Sequence, residues 1–254
     1  IIGGIKSIAR VTSKLVPFMA LLYVGTALVV IGANFSAIPS AVSAIITNAF
    51  TPEGVTGGVI AVLILGFRRA AFSNEAGIGS SAIAHATVKT DEPLTQGFVA
   101  MLEPFIDTVV ICTITALVII LTVYDPAMLN EGTIRGVELT SSAFASVIPW
   151  FPSVLAVVVM LFAYSTMISW SYYGLEGFVY MFGSKQRTKR IFNAVFCLFV
   201  VVGCTVQLDT VLDFSDAMIF AMALANMLAL YLLGPDVKRE LDAYWTKLKM
   251  RSTK

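Results

Sequence analysis

Apolar residues run through most of the chain in stretches long enough to cross about 30 Å of hydrocarbon, which takes roughly 20 residues as a helix. Such stretches occupy 15–33, 55–88, 97–122, 152–182, 191–206 and 217–233, and they predict six helical crossings. A β-barrel would need apolar and polar residues in alternation. Val157-Val158-Val159-Met160-Leu161-Phe162 and Ala221-Met222-Ala223-Leu224-Ala225 show none. The pattern predicts an all-α integral membrane protein with a single transmembrane domain over 1–254, ending in a polar, basic tail over 236–254.

The second run is not continuous. Positions 66–87 read GFRRAAFSNEAGIGSSAIAHAT, and Ser73-Asn74-Glu75-Ala76-Gly77 breaks the apolar pattern before it resumes at Ile78. In a bilayer every backbone polar group must be satisfied internally, so a break near 72–77 is tolerated where it is buried in protein or lines a cavity. Gly66, Gly77 and Gly79 permit sharp backbone bends there. The freed N–H groups of the second half can hold an anion and the unwound carbonyls a cation, which suits a zwitterion with a co-transported ion near the membrane midplane. The competing reading is tight helix packing through small residues, which leaves Asn74 and Glu75 unexplained.

Composition agrees with the pattern: 57% of residues are hydrophobic and 13% charged, against roughly 25% charged in soluble domains. The net charge of +1 says little in total, but its distribution sets an orientation by the positive-inside rule. Lys6, Arg10 and Lys14 precede the first run, Lys185, Arg187, Lys189 and Arg190 follow the fourth, and Lys238, Arg239, Lys247, Lys249, Arg251 and Lys254 follow the last. These segments are expected at the cytoplasmic face, with the short loop 89–95. The alternate loops, 34–51, 123–148 and 207–211, hold Asp125, Glu131, Glu138 and Asp209 but only Arg135 among basic residues, and are expected outside. Cys112, Cys197 and Cys204 have no metal-like spacing and read as small core residues. The chain opens at Ile1 without a cleavable signal pattern and reads as the C-terminal part of something longer, truncated at its N-terminus.

Several side chains carry candidate chemistry. Arg68 and Arg69 are expected to neutralise Glu75 and buried carbonyls, or to pair with Glu103 and Asp107, which are four apart and share a face on a regular helix, with Pro104 kinking it between them; the alternative is that these two carboxylates serve a cation pathway. His85, the single histidine, reads either as a packed hydrogen-bonding group or as a proton relay. In the fourth run, Ser165 and Thr166 follow Phe162 by three and four residues, so that carbonyl and both hydroxyls can converge on a small hard cation. The alternative is that the hydroxyls bond back to their own helix. Trp170 stands four residues beyond Thr166 and either walls a small pocket or packs as core.

These residues resemble the alanine or glycine:cation symporter family. The resemblance rests on FSNEAGIGS and IAHA within 66–87, on Thr90-Asp91, Gln96-Gly97 and Phe105-Ile106-Asp107-Thr108, and on Phe162-Ala163-Tyr164-Ser165-Thr166 with Trp170 and Tyr172-Tyr173-Gly174. It covers nearly the whole chain. It implies a leucine-transporter-like inverted-repeat fold, present in part as helices five to ten, in a multi-pass protein of the cell membrane. By position it implies that Phe72, Ser73, Asn74 and Gly77 border the substrate and Trp170 closes the pocket. Phe162, Ser165 and Thr166 would form one half of a sodium site. The implied activity is symport of alanine, glycine and similar small neutral amino acids inward with Na+ as coupling ion, without a cofactor, with the lipid bilayer as setting and without nucleic acid. Proton coupling, a non-transporting truncated membrane protein and an intramembrane enzyme are the alternatives. An enzyme would need a nucleophile, base and orienting group in mutual reach, and on a helix Glu75 and His85 would be separated by about 15 Å of rise.

Overall fold

A computed structural model describes residues 4–49, 59–123 and 136–252. Ile1, positions 55–58 of the second expected crossing, the loop charges Asp125, Glu131 and Arg135, and Lys254 lie outside the described residues. The regular elements among the described residues are helices. They are α1 (Gly4–Ala33), a 3-10 turn (Phe35–Ala37), α2 (Ile38–Ala49), α3 (Val59–Ser73), α4 (Ser80–His85) and α5 (Pro93–Pro104). A π-helical segment (Phe105–Cys112) follows, then α6 (Thr113–Thr122), α7 (Val137–Ala145), α8 (Phe151–Phe182), α9 (Gln186–Gly203) and α10 (Leu208–Ser252).

Four stretches among the described residues are helical, long and apolar enough to cross a membrane: Lys6–Ala33, Pro93–Thr122, Phe151–Phe182 and Leu208–Met250. The stretch read as the second crossing is divided between α3 and the six residues of α4. The fifth starts as the basic turn Gln186-Arg187-Thr188-Lys189-Arg190, so the apolar part of α9 begins only at Ile191. Helix α10 continues without a stop through Pro235 and the basic segment that follows it. At 1.5 Å per residue its 45 residues extend about 67 Å, twice what the hydrocarbon needs.

The chain divides into two compact units, Ile1–Leu63 with Val109–Cys197, and Ile64–Thr108 with Leu198–Lys254. In the first, α1 packs on α6 and α8, and α7 packs on α6 and α8. Its core joins Ala27 and Val30 of α1, Val118 of α6, Ala143 and Phe144 of α7, and Phe151 and Leu155 of α8, all fully or almost fully buried. The alanines let backbones approach, and the Phe144 ring fills the space between Tyr23 (centroids 5.6 Å apart) and Phe151 (4.8 Å). Tyr23 satisfies its hydroxyl on Thr115 Oγ1 at 2.7 Å, which itself donates to the carbonyl of Ile111.

The second unit contains α4, α5 and α10, most of α3 and the first half of the π segment. Side chains tie these elements: Asn226 of α10 donates to the carbonyl of Gly77 at 2.9 Å, and Tyr244 of α10 lies against Phe98 of α5 at 5.9 Å. Lys247 of α10 meets Glu92 at 3.0 Å just before α5 begins.

The three cysteines correct a sequence expectation. Cys112, Cys197 and Cys204 are exposed rather than in a core. An apolar position on a membrane helix need not face its own chain, because lipid solvates it as well as a protein interior does.

Candidate functional site

Helix α3 ends at Ser73 and α4 begins at Ser80, leaving six residues outside regular helix. Three of them turn through the left-handed region: Glu75 (φ 55), Gly77 (φ 82) and Gly79 (φ 92). Glu75 is the one non-glycine with positive φ among the described residues, a conformation that concentrates at functional sites. Asn74 starts the turn by accepting the N–H of Ala76 on its own Oδ1 at 3.0 Å, as asparagine does where it competes with helix. Ser80 closes it by donating to Glu75 Oε2 at 2.6 Å. At Gly79 a β-carbon would stand 2.9 Å from Asn226 Oδ1, so a side chain there would have to displace that of Asn226.

The other side of the interruption is held by the π segment. Ser73 donates to Asp107 Oδ2 at 2.6 Å, and Asn74 Nδ2 donates to Thr108 Oγ1 at 3.1 Å. Pro104 explains the irregular register. It has no N–H, so the helix loses a bond there, and the chain widens to π geometry over Phe105–Cys112. Instead of meeting the arginines together, Asp107 accepts from Ser73 while Glu103 lies 3.2 Å from His85.

The arginines have another partner. Asp216 of α10 is only 3% exposed, and its Oδ2 accepts from Arg68 Nε (2.9 Å), Arg68 Nη2 (2.6 Å) and Arg69 Nη2 (2.6 Å). Asp213, one turn earlier, accepts from Arg68 at 3.3 Å. Sequence reading missed Asp213 and Asp216. The available signal was two carboxylates three residues apart at the head of an apolar run, with no cation of their own nearby.

Of the residues expected to border substrate, Phe72 and Ser73 finish α3, and Asn74 and Gly77 stand in the interruption, so the second unit brings these four together. Trp170, Phe162, Ser165 and Thr166 belong to α8 in the first unit. Ser165 is buried and donates to the carbonyl of Phe162 at 2.8 Å. Ser169 donates to Ser165 O in turn at 3.0 Å. Thr166 is exposed, and Trp170 packs edge-on to Tyr173 at 5.8 Å. The bond to Phe162 uses only the hydroxyl proton of Ser165, and its oxygen retains lone-pair capacity for a cation.

The interruption thus leaves backbone groups and side-chain hydroxyls outside regular helix. Comparison with known proteins gives the class of the chain: the model of the sodium:alanine symporter family matches residues 1–254. The chain belongs to this family. It is 38% identical over 245 residues to the sodium/alanine symporter AgcS of Methanococcus maripaludis, covering 96% of this chain and 53% of the relative. Against the probable sodium/glutamine symporter GlnT of Bacillus subtilis it is 33% identical, covering 98% of this chain and 52% of that protein. Against a sodium/proton-dependent alanine carrier of Bacillus sp. PS3 it is 30% identical, covering 98% and 59%. The chain thus spans about half the length of the curated relatives it matches. The sodium:alanine symporter family and these relatives are membrane transporters, not enzymes.

Proposed function

We propose that the protein to which this chain belongs is a sodium-coupled symporter that carries small neutral amino acids, alanine and glycine foremost, into the cell. Family membership supports sodium coupling, and relatives named for alanine and glutamine support an amino acid as cargo. The fold that goes with this reading is leucine-transporter-like, with the chain supplying helices five to ten.

The observation that carries the proposal is the interruption between Ser73 and Ser80, held open from two sides. Asp107 and Thr108 hold Ser73 and Asn74, and Asn226 holds the carbonyl of Gly77. Unwound backbone offers a zwitterionic substrate both N–H and C=O groups, and pre-set anchors lower the ordering cost of binding. Phe72, Ser73, Asn74 and Gly77 would line the substrate, and the family resemblance adds Trp170 of α8 to the substrate-binding residues. The carbonyl of Phe162 and the hydroxyls of Ser165 and Thr166 would take Na+, as hard oxygen donors suit a hard cation. Coupling follows if the ion and the amino acid each bind one conformation of the carrier better than the other, because only such a difference shifts the equilibrium between them.

The test is alanine uptake by Asn74→Ala, which removes both the turn cap and the bond to Thr108. We expect at least a tenfold fall in uptake efficiency, about 1.4 kcal/mol, at normal membrane insertion. Uptake at the unmodified level would remove the interruption from the substrate site.

A further inference from the structure

His85 closes α4 and has no part in the proposed substrate or sodium sites. It is the only histidine of the chain, with a side chain one-fifth exposed. Both ring nitrogens meet one helix. Nδ1 stands 2.6 Å from Gln96 Nε2, and Nε2 stands 3.2 Å from Glu103 Oε1. Gln96 and Glu103 are seven apart on α5, two turns on the same face, so the ring is gripped at both ends. A cavity of about 500 Å³ opens beside it, lined by Ser81, His85, Thr90, Gln96 and small apolar residues.

The chemistry of one added proton is defined by those contacts. Neutral imidazole has one N–H and one acceptor nitrogen. Here Nδ1 accepts from the Gln96 amide and the Nε2–H points to Glu103. A proton added at Nδ1 makes both nitrogens donors. Gln96 then has to present its carbonyl oxygen, and the contact to Glu103 becomes charge-assisted, shorter and stronger. Other charges near the segment are otherwise engaged or exposed, beginning with Glu75, which accepts from Ser80 at the start of α4. Lys89 and Asp91 are exposed, Glu92 is paired with Lys247 of α10, and Asp107 of the π segment accepts from Ser73. Against the interruption itself α10 presents the neutral Asn226.

We propose that His85 is a proton-binding site whose occupancy clasps α4 to α5 and thereby makes transport at the adjoining interruption respond to pH. The inference rests on the symporter reading for its transport consequence, but the clasp has a readout of its own. In the whole protein, alanine uptake at fixed sodium gradient is measured between pH 5 and 8, the range in which histidine ordinarily changes charge. The unmodified protein should change by about threefold or more across that range, while His85→Gln and Glu103→Gln, still active, should be nearly flat. A retained pH profile in His85→Gln, or a flat profile in the unmodified protein, overturns the inference. Amide hydrogen exchange of residues 81–86, corrected for intrinsic rates, should be slower at the acid end in the unmodified protein and independent of pH in Glu103→Gln. If no alanine or glycine is carried at any pH, the symporter reading fails and the exchange experiment alone decides the clasp. Equal protection at both pH values then rejects it.

Discussion

Asp216 collects three charge-assisted hydrogen bonds on one carboxylate oxygen while almost wholly removed from solvent. A buried carboxylate keeps its charge only when it is this well paired. Replacing it with asparagine retains the shape and removes the charge, leaving Asp213, exposed and 3.3 Å from Arg68, as the carboxylate beside the two arginines. We expect Asp216→Asn to cost about 1–3 kcal/mol of stability, read as a lower melting temperature of the detergent-solubilised protein; an unchanged melting temperature would show that the cluster is not structural. Two adjacent arginines beside an apolar run announced in the sequence that a counter-charge was needed. Which carboxylate supplied it was not legible, because the partner lies 148 residues from Arg68 and nothing local links them. On α8 the hydroxyl of Thr166 is the exposed member of the proposed sodium set. Thr166→Ala should raise the sodium concentration for half-maximal uptake about tenfold, by loss of a hard ligand; an unchanged sodium dependence would remove this residue from the site.

At the scale of elements, the break between α3 and α4 depends on backbone geometry that only glycine adopts freely. Gly79 has φ 92, and Asn226 stands where its β-carbon would go. Gly79→Ala therefore combines backbone strain of order 1–3 kcal/mol with displacement of Asn226 from its bond to Gly77. Adding Asn226→Ala removes the clash but not the strain, so the double variant should remain less stable than Asn226→Ala alone. Equal stability of those two would show that the turn tolerates a side chain. Small residues and the Ser-Asn-Glu sequence made an interruption legible. The π register was not, since Pro104 announces a kink but leaves open how the chain recovers. The four-residue spacing of Glu103 and Asp107 misled about their partners because it tells only that two carboxylates can share a face, and nothing of which side chains that face meets. The lysine at the far end of α10 is a contrasting case. Lys247 and Glu92 are 55% and 32% exposed, so solvent screens their 3.0 Å contact, and Lys247→Ala should change stability by less than about 1 kcal/mol.

At the scale of the molecule, the membrane class was legible because length and hydropathy alone set the requirement for crossing a bilayer. Four described helices meet it, and the family match over 1–254 makes the chain part of a membrane transporter. What covers the outward-facing apolar positions was not legible. Leu21, Phe67, Tyr180 and Leu232 are all exposed, and an apolar side chain looks the same in sequence whether lipid or protein lies against it. The central claim concerns coupling, and the most direct measurement is radiolabelled alanine uptake into proteoliposomes of the whole protein, with and without an inward sodium gradient and with proton gradients collapsed. The account predicts accumulation above the external concentration only when sodium is higher outside. Equal accumulation without sodium, or none of alanine and glycine in its presence, would contradict it.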